Sequence, residues 1–225
     1  MKNFKLIVIE GVDSSGKATQ SKLLYEKLIT EYNNIETVEF PNYNSDTSAV
    51  VKMYLSGEFG KNAGDVSPYA ASSFFAVDRA ASVYGEWKHI FDDDKIVVAD
   101  RYTTSNMIHQ ASKIDNNEDK SEFLDWLYDF EYNKLELPQP DIVIFLDMPV
   151  KYAKILMENR PNKIDNSKTL DIHESDDTYL NKSYDNAVFV AKKYNWCNIS
   201  CVKNGEIRSI EDISCEIYSK VKEIL

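Results

Sequence analysis

The chain has 225 residues, 43% of them hydrophobic and 28% charged, which suits one domain with a sizeable core. A formal net charge of −11 argues against a broad nucleic-acid or anionic-membrane surface, while leaving room for a small anion held by a few local cations. No apolar run reaches the roughly 18–20 residues of a membrane helix, and Met1 leads straight into a charged, strand-like segment. The expectation is a cytoplasmic protein with no leader.

In chain order, residues 4–9 form a short apolar strand. Residues 17–32 carry Leu23, Leu24, Leu28 and Ile29 at helical spacing. A strand over 35–40 is ended by Pro41, and 48–55 is a short helix. Ser67 and Pro68 open a long helix running to about residue 91, with proline in the first turn. Residues 96–99 are a buried strand, and 103–113 and 120–132 are helical. A strand at 141–146 and a helix at 150–158 follow. A polar segment at 160–172, "RPNKIDNSKTLDI", has no period and lies between two helices as an exposed loop or lid. A last strand at 199–202 precedes a final helix, capped by Ser209 with Asp212 at the third position. Strands separated by helices imply crossover units and a parallel sheet with helices on both faces. The three cysteines, Cys197, Cys201 and Cys215, are late and odd in number, which predicts reduced, structural thiols.

Chemistry concentrates first at "IEGVDSSGKATQ". Gly11, four residues, Gly16 and Lys17 follow a strand and open a helix. In that setting backbone N–H groups converge on phosphate oxygens, the helix N-terminus adds partial positive charge, and Lys17 reaches the β and γ phosphates. The loop residues Gly11, Ser14, Ser15, Gly16, Lys17, Ala18 and Thr19 are thus the candidate nucleotide-phosphate contacts. Ala18 stands where a magnesium-binding hydroxyl is usual. Thr19, one residue on, points about 100° away around a helix. Mg²⁺ keeps several waters, so loss of direct ligation need not abolish binding. The string "NKID" at 162–165 follows no buried strand and is read as coincidence, not as a guanine-reading motif.

"VVADRY" ends a buried strand on Asp100 and Arg101, on the edge where an open parallel sheet places its ligand crevice. "FPNY" ends another strand at the same edge. "SSFFAVDR" sets Phe75 and Arg79 one turn apart on a helix, an aromatic face and a planar donor for a base. Only four of the 26 basic residues are arginine, and three of them, Arg79, Arg101 and Arg160, fall in these segments and the lid.

Taken with "LPQPDIVIFLDMP" and a basic lid followed by "DIHE", these pieces resemble the thymidylate kinase family in order along nearly the whole chain. The resemblance implies an α/β P-loop kinase fold of about five parallel strands, a single domain over 1–225 and a lid near 160–172. It implies Mg²⁺-dependent phosphoryl transfer from ATP to dTMP, small-molecule substrates without nucleic acid or membrane, and a homodimer. In it, Asp13 approaches the sugar 3′-OH and the metal-bound water, with Asp100 beside the metal. Phe75 stacks on thymine, Arg79 bonds its O4, Arg101 holds the acceptor phosphate and Asn106 lies near the base. Phe40, Pro41, Tyr43, His109 and Gln110 complete the acceptor site. Ser14 and Ser15 carry no charge, so the catalytic cation falls to Arg160, Lys163 or Lys168 of the lid. Tyr43 stands where many relatives have arginine, and His109 where they often have tyrosine. The alternatives are a kinase for another deoxynucleotide or deoxynucleoside, and an inactive nucleotide-binding relative.

Overall fold

A computed structural model of the chain describes residues 4–92, 94–157 and 177–225. The strands are β1 (Lys5–Glu10), β2 (Ile35–Glu39), β3 (Ile96–Asp100), β4 (Ile142–Asp147) and β5 (Cys197–Ser200). They form one parallel sheet in the order β2-β3-β1-β4-β5. From β1 the chain jumps to the edge at β2, returns inward through β3 and then crosses β1 to β4 and β5. The ligand crevice of such a sheet lies outside the carboxyl ends of its strands at this reversal.

The central strands carry near-continuous apolar runs, as strands covered by helices on both faces do, with charge only at their ends. Along β1, Leu6 and Val8 join one core, while Ile7 and Ile9 join the other, all fully buried. The Ile7 face is covered by Leu24 and Leu28 of α1 (Lys17–Leu28) and by Ile213, Ile217 and Val221 of α9 (Ile210–Lys222). The Leu6 face is covered by α3 (Pro68–Tyr84), α5 (Thr103–His109), α6 (Asn117–Tyr128) and α8 (Asp177–Lys193), through Val83, Met107, Phe123, Leu127 and Val190. Asn186 of α8 ties its own helix to α5, donating to the carbonyls of Met107 at 2.9 Å and Ile108 at 2.7 Å. The predicted cap is present, with Ser209 Oγ accepting from Asp212 N at 3.1 Å.

The short helices expected at 48–55 and 150–158 are α2 (Ala49–Leu55) and α7 (Val150–Met157), and several other boundaries differ from the sequence expectation. The helix opened by Pro68 stops at Tyr84, and a separate turn, α4 (Lys88–Asp92), follows. Gly85 makes the break: its N–H still bonds Ala81 O, but a side chain there would meet that carbonyl at 2.8 Å. Helix α1 ends four residues early. Helix α6 starts three residues before the predicted point, because Asn116 caps it by accepting from Glu118 N at 2.8 Å. Beyond Tyr128 it widens into a π-helical turn, Asp129–Lys134. The last strand begins at Cys197, and Val202–Lys203 instead pairs with Glu206–Ile207 in a small antiparallel hairpin. The lid expected at 160–172, with Arg160, Lys163, Lys168 and the "NKID" string, lies outside the described residues. The three cysteines are free, and burial pushes the Cys201 thiol up to about 12, as expected of an inert thiol. Among the described residues no helix is long and apolar enough to cross a membrane.

One carboxylate couples the sheet edge to helix α5. Glu10, the last residue of β1, is fully buried. It accepts from Tyr102 N at 3.3 Å, Thr104 Oγ1 at 2.8 Å and Ser105 Oγ at 2.7 Å. Helix α5 has no side-chain cap of its own, so Glu10 supplies one from the neighbouring strand, with the charge sign that a helix N-terminus favours. Glu10→Gln puts an amide donor among those donors. It is expected to lower unfolding free energy by about 2–4 kcal/mol, read by urea titration. A loss under about 0.5 kcal/mol would remove Glu10 from this role.

Candidate active site

The phosphate loop is built by its sequence. Gly11 has φ 157°, and a side chain there would meet Ser15 Oγ at 2.5 Å and Leu146 O at 3.0 Å. Gly16, at φ 95°, lets the chain turn into α1 as its N-cap. Lys17 is buried, and its ammonium donates to the carbonyls of Gly11 at 2.8 Å and Val12 at 2.7 Å, closing the loop on itself. Ser14 and Ser15 present buried hydroxyls with no protein partner. Ala18 lines a groove with Lys22, Glu39 and Asp100, whereas Thr19 sits on the exposed side of α1 and does not reach it.

Beside the loop, one cleft collects the residues expected to hold an acceptor. Asp13 and Arg101 stand at the loop end. Phe40, Pro41, Tyr43 and Phe75 line its walls. Arg79, Asn106, His109 and Gln110 also line it. Asp78 pins the wall segment, accepting from Asn42 N at 3.0 Å and Thr47 Oγ1 at 2.6 Å. Phe75 is held edge-on to Tyr54, with ring centroids 6.0 Å apart.

Arg101 follows the end of β3 with φ 66°, a left-handed conformation that costs a non-glycine residue about 1–2 kcal/mol. Its N–H donates to Ile9 O at 3.2 Å. The guanidinium pairs with Asp13 through Nη2 and with His109 Nε2 through Nη1, at 3.1 Å for the latter. Arginine can only donate, so His109 Nε2 is the acceptor and its ring proton sits on Nδ1. Burial works against the Arg101 charge, but the carboxylates of Asp13, Glu10 and Asp100 outweigh it and hold its pKa above the usual arginine value. The cation therefore stays charged although its side chain is only 13% exposed.

Asp100 is 7% exposed, and its Oδ1 has no partner. It sits opposite Glu39 in the β2–β3 register, and both face the Ala18 groove. Oxygen donors of this kind suit Mg²⁺. Among the described residues no three His, Cys, Asp or Glu side chains gather into a complete metal cage, so a cation here would finish its shell with water and ligand oxygens.

Glu131 was not expected from the sequence. It is fully buried under the cleft, on the π-helical turn, and pairs bidentately with Arg79: Nε to Oε2 at 2.7 Å and Nη2 to Oε1 at 2.5 Å. Asn106 Nδ2 donates to the same Oε1 at 2.9 Å. A buried acid in a helical run signals a buried cation somewhere, but not which one. Glu10 and Glu39 were equally unassigned.

Comparison with known proteins bears on this arrangement. Residues 9–206 match the family model described as thymidylate kinase. The chain is 29% identical over 224 residues to the probable thymidylate kinase of Thermococcus onnurineus, covering 97% of this chain and 98% of that one. It is 30% identical over 172 residues to the thymidylate kinase of Mycobacterium tuberculosis, covering 76% and 78%. The solved thymidylate kinase of Candida albicans has a similar fold, with a TM-score of 0.72 over 97% of this chain and 91% of that one, at 20% identity.

The Asp13–Arg101 pair is open to a direct check. A double-mutant cycle of Asp13→Asn and Arg101→Gln, read by urea unfolding, is expected to give a coupling energy of about 1–3 kcal/mol. Additive effects would mean that the two side chains do not pair in solution.

Proposed function

The chain belongs to the thymidylate kinase family, and from that premise we propose that it transfers the γ-phosphoryl group of ATP to dTMP, giving dTDP and ADP. The observation that carries this reading is the composition of one cleft. A fixed guanidinium, Arg101, stands at the phosphate-loop end, and an aromatic face and a second guanidinium, Phe75 and Arg79, line the same space. That set suits a nucleoside monophosphate with a keto-bearing planar base.

In this reading Lys17 leaves the carbonyls of Gly11 and Val12 for the β and γ phosphates of ATP, which the loop N–H groups and the α1 N-terminus also hold. Ser14 and Ser15 add hydroxyl donors. Arg101 grips the acceptor phosphate and aligns it in line with the γ-phosphorus. Asp13, held by Arg101, orients the sugar 3′-OH. Phe75 stacks on the base, Arg79 donates to its O4, and Asn106 meets its edge. Phe40, Pro41, Tyr43, His109 and Gln110 shape the remaining walls. The acceptor oxygen is already ionised, so no general base is needed, and catalysis is positioning plus charge neutralisation.

Asp100, and Asp13 through water, would hold Mg²⁺, which when bound neutralises phosphate charge. With alanine at position 18 that ion would be held chiefly through water and phosphate oxygens. Arg160, Lys163 and Lys168, assigned from sequence alone, supply the cation for the transferring group. We place the enzyme in the cytoplasm as a single-domain homodimer, with no nucleic-acid or membrane partner, in keeping with its net charge of −11.

The test is ADP release with ATP, Mg²⁺ and a panel of nucleosides and monophosphates. Turnover is expected with dTMP foremost. Preference for another acceptor, or binding without turnover, would overturn the proposal. Arg79→Ala should lower kcat/KM for dTMP by about 10²-fold or more, with the KM for ATP within about twofold. Equal losses for both substrates would remove Arg79 from base recognition.

A further inference from the structure

Glu131 is a fully buried carboxylate that the mechanism above leaves without a task. A structural ion pair would need only Arg79. Here the carboxylate is shared with Asn106, a second residue of the same cleft, and the sharing has a chemical consequence.

Asn106 Nδ2 faces two acceptors, Glu131 Oε1 at 2.9 Å and Ser72 O at 3.2 Å. Rotating the amide would set Oδ1 against both oxygens. Nδ2 is therefore locked inward, and Oδ1 is the atom left for the cleft. Arg79 commits Nε and Nη2 to Glu131, and Nη1 remains for a ligand. The carboxylate accepts from all three donors, so neither side chain can turn without breaking a buried charge-assisted bond. The subsite then offers one fixed donor and one fixed acceptor.

We propose that Glu131 is the positioning residue that sets this hydrogen-bond polarity, and so makes the site read a pyrimidine with a 4-keto group and an N3–H and reject one with a 4-amino group and a bare N3. A keto-imide edge meets Arg79 with a carbonyl and Asn106 Oδ1 with an N–H. An amino-pyrimidine edge meets the same pair with a donor against a donor and a lone pair against a lone pair. Sites of fixed polarity discriminate strongly, because the mismatch leaves buried groups unpaired. The inference rests on the acceptor proposed above.

The π-helical turn explains how Glu131 reaches this place. Leu135 N bonds Phe130 O at 2.9 Å across the widened turn. The next residue, Tyr132, bonds Thr103 Oγ1 at the start of α5. The turn is thereby fastened to the helix that carries Asn106.

The experiment compares kcat/KM for dTMP and dCMP in wild type, Glu131→Gln, Asn106→Ala and the double variant, with KM for ATP as the control. A glutamine at 131 cannot accept from all three donors and frees the Asn106 amide to turn. The dTMP-to-dCMP ratio is expected to fall at least about 10-fold in Glu131→Gln, with the KM for ATP within about twofold. In the Asn106→Ala background the ratio is already low, and Glu131→Gln should lower it little further. Equal losses for both acceptors, leaving the ratio unchanged, would overturn the inference and make Glu131 a support for folding. If Glu131→Gln is recovered only unfolded, Glu131→Asp takes its place. The shorter carboxylate cannot span both neighbours, so an intermediate fall in the ratio is expected, and an unchanged ratio overturns the inference. Wild-type failure to use dTMP would instead sink the proposed activity, a result visible before any variant is measured.

Discussion

The site depends on a buried carboxylate at the end of the central strand. Glu10 binds the first turn of α5 from outside that helix, and so sets where the segment after β3 begins to coil. Arg101 occupies the junction in between, in a left-handed conformation that chain propensity alone would not select. The strain is local and small beside the charge-assisted bonds that hold it. Through this junction the edge of the sheet dictates the position of Arg101, Asp13 and His109 together.

The charges follow a consistent logic. Four of the five parallel strands end on an acid: Glu10, Glu39, Asp100 and Asp147. An edge of that sign would repel an anionic substrate. Opposed to it are the N-terminus of α1 with its loop N–H groups, and three buried or nearly buried cations: Lys17, Arg79 and Arg101. Arg79 and Arg101 are already held by carboxylate oxygens, so little reorganisation is left for them, whereas Lys17 exchanges its carbonyl partners when a phosphate arrives. The net charge of the whole chain therefore says little about the cleft, where buried charges and fixed donors decide the local field.

The two arginines differ in their partners. Arg101 pairs with one oxygen of Asp13 and with a neutral histidine, an arrangement a phosphate can enter or share. Arg79 is clamped by both oxygens of Glu131, so its orientation is fixed before any base arrives. In the proposed reading Arg79, held by two oxygens, serves the base and Arg101, held by one oxygen and a ring nitrogen, serves the phosphate.

The order of elements, the parallel sheet, the phosphate loop and the acceptor candidates are all legible in the sequence. Each rests on local signals: apolar period, glycine spacing, and residues at strand ends that a parallel sheet must gather on one edge. Phe75 and Arg79 were legible because one helical turn brings them to one face. What sits behind those residues emerges only from packing. Glu131 meets Arg79 across 52 positions and Asn106 across 25. It does so from a π-helical turn that breaks the period by which a sequence is read. Glu10 meets α5 from more than 90 positions away, and neither spacing nor propensity records such a contact. The break at Gly85 likewise depends on how closely the Ala81 carbonyl approaches. Buried charges are satisfied by whichever donors packing brings near, and packing is a property of the folded chain.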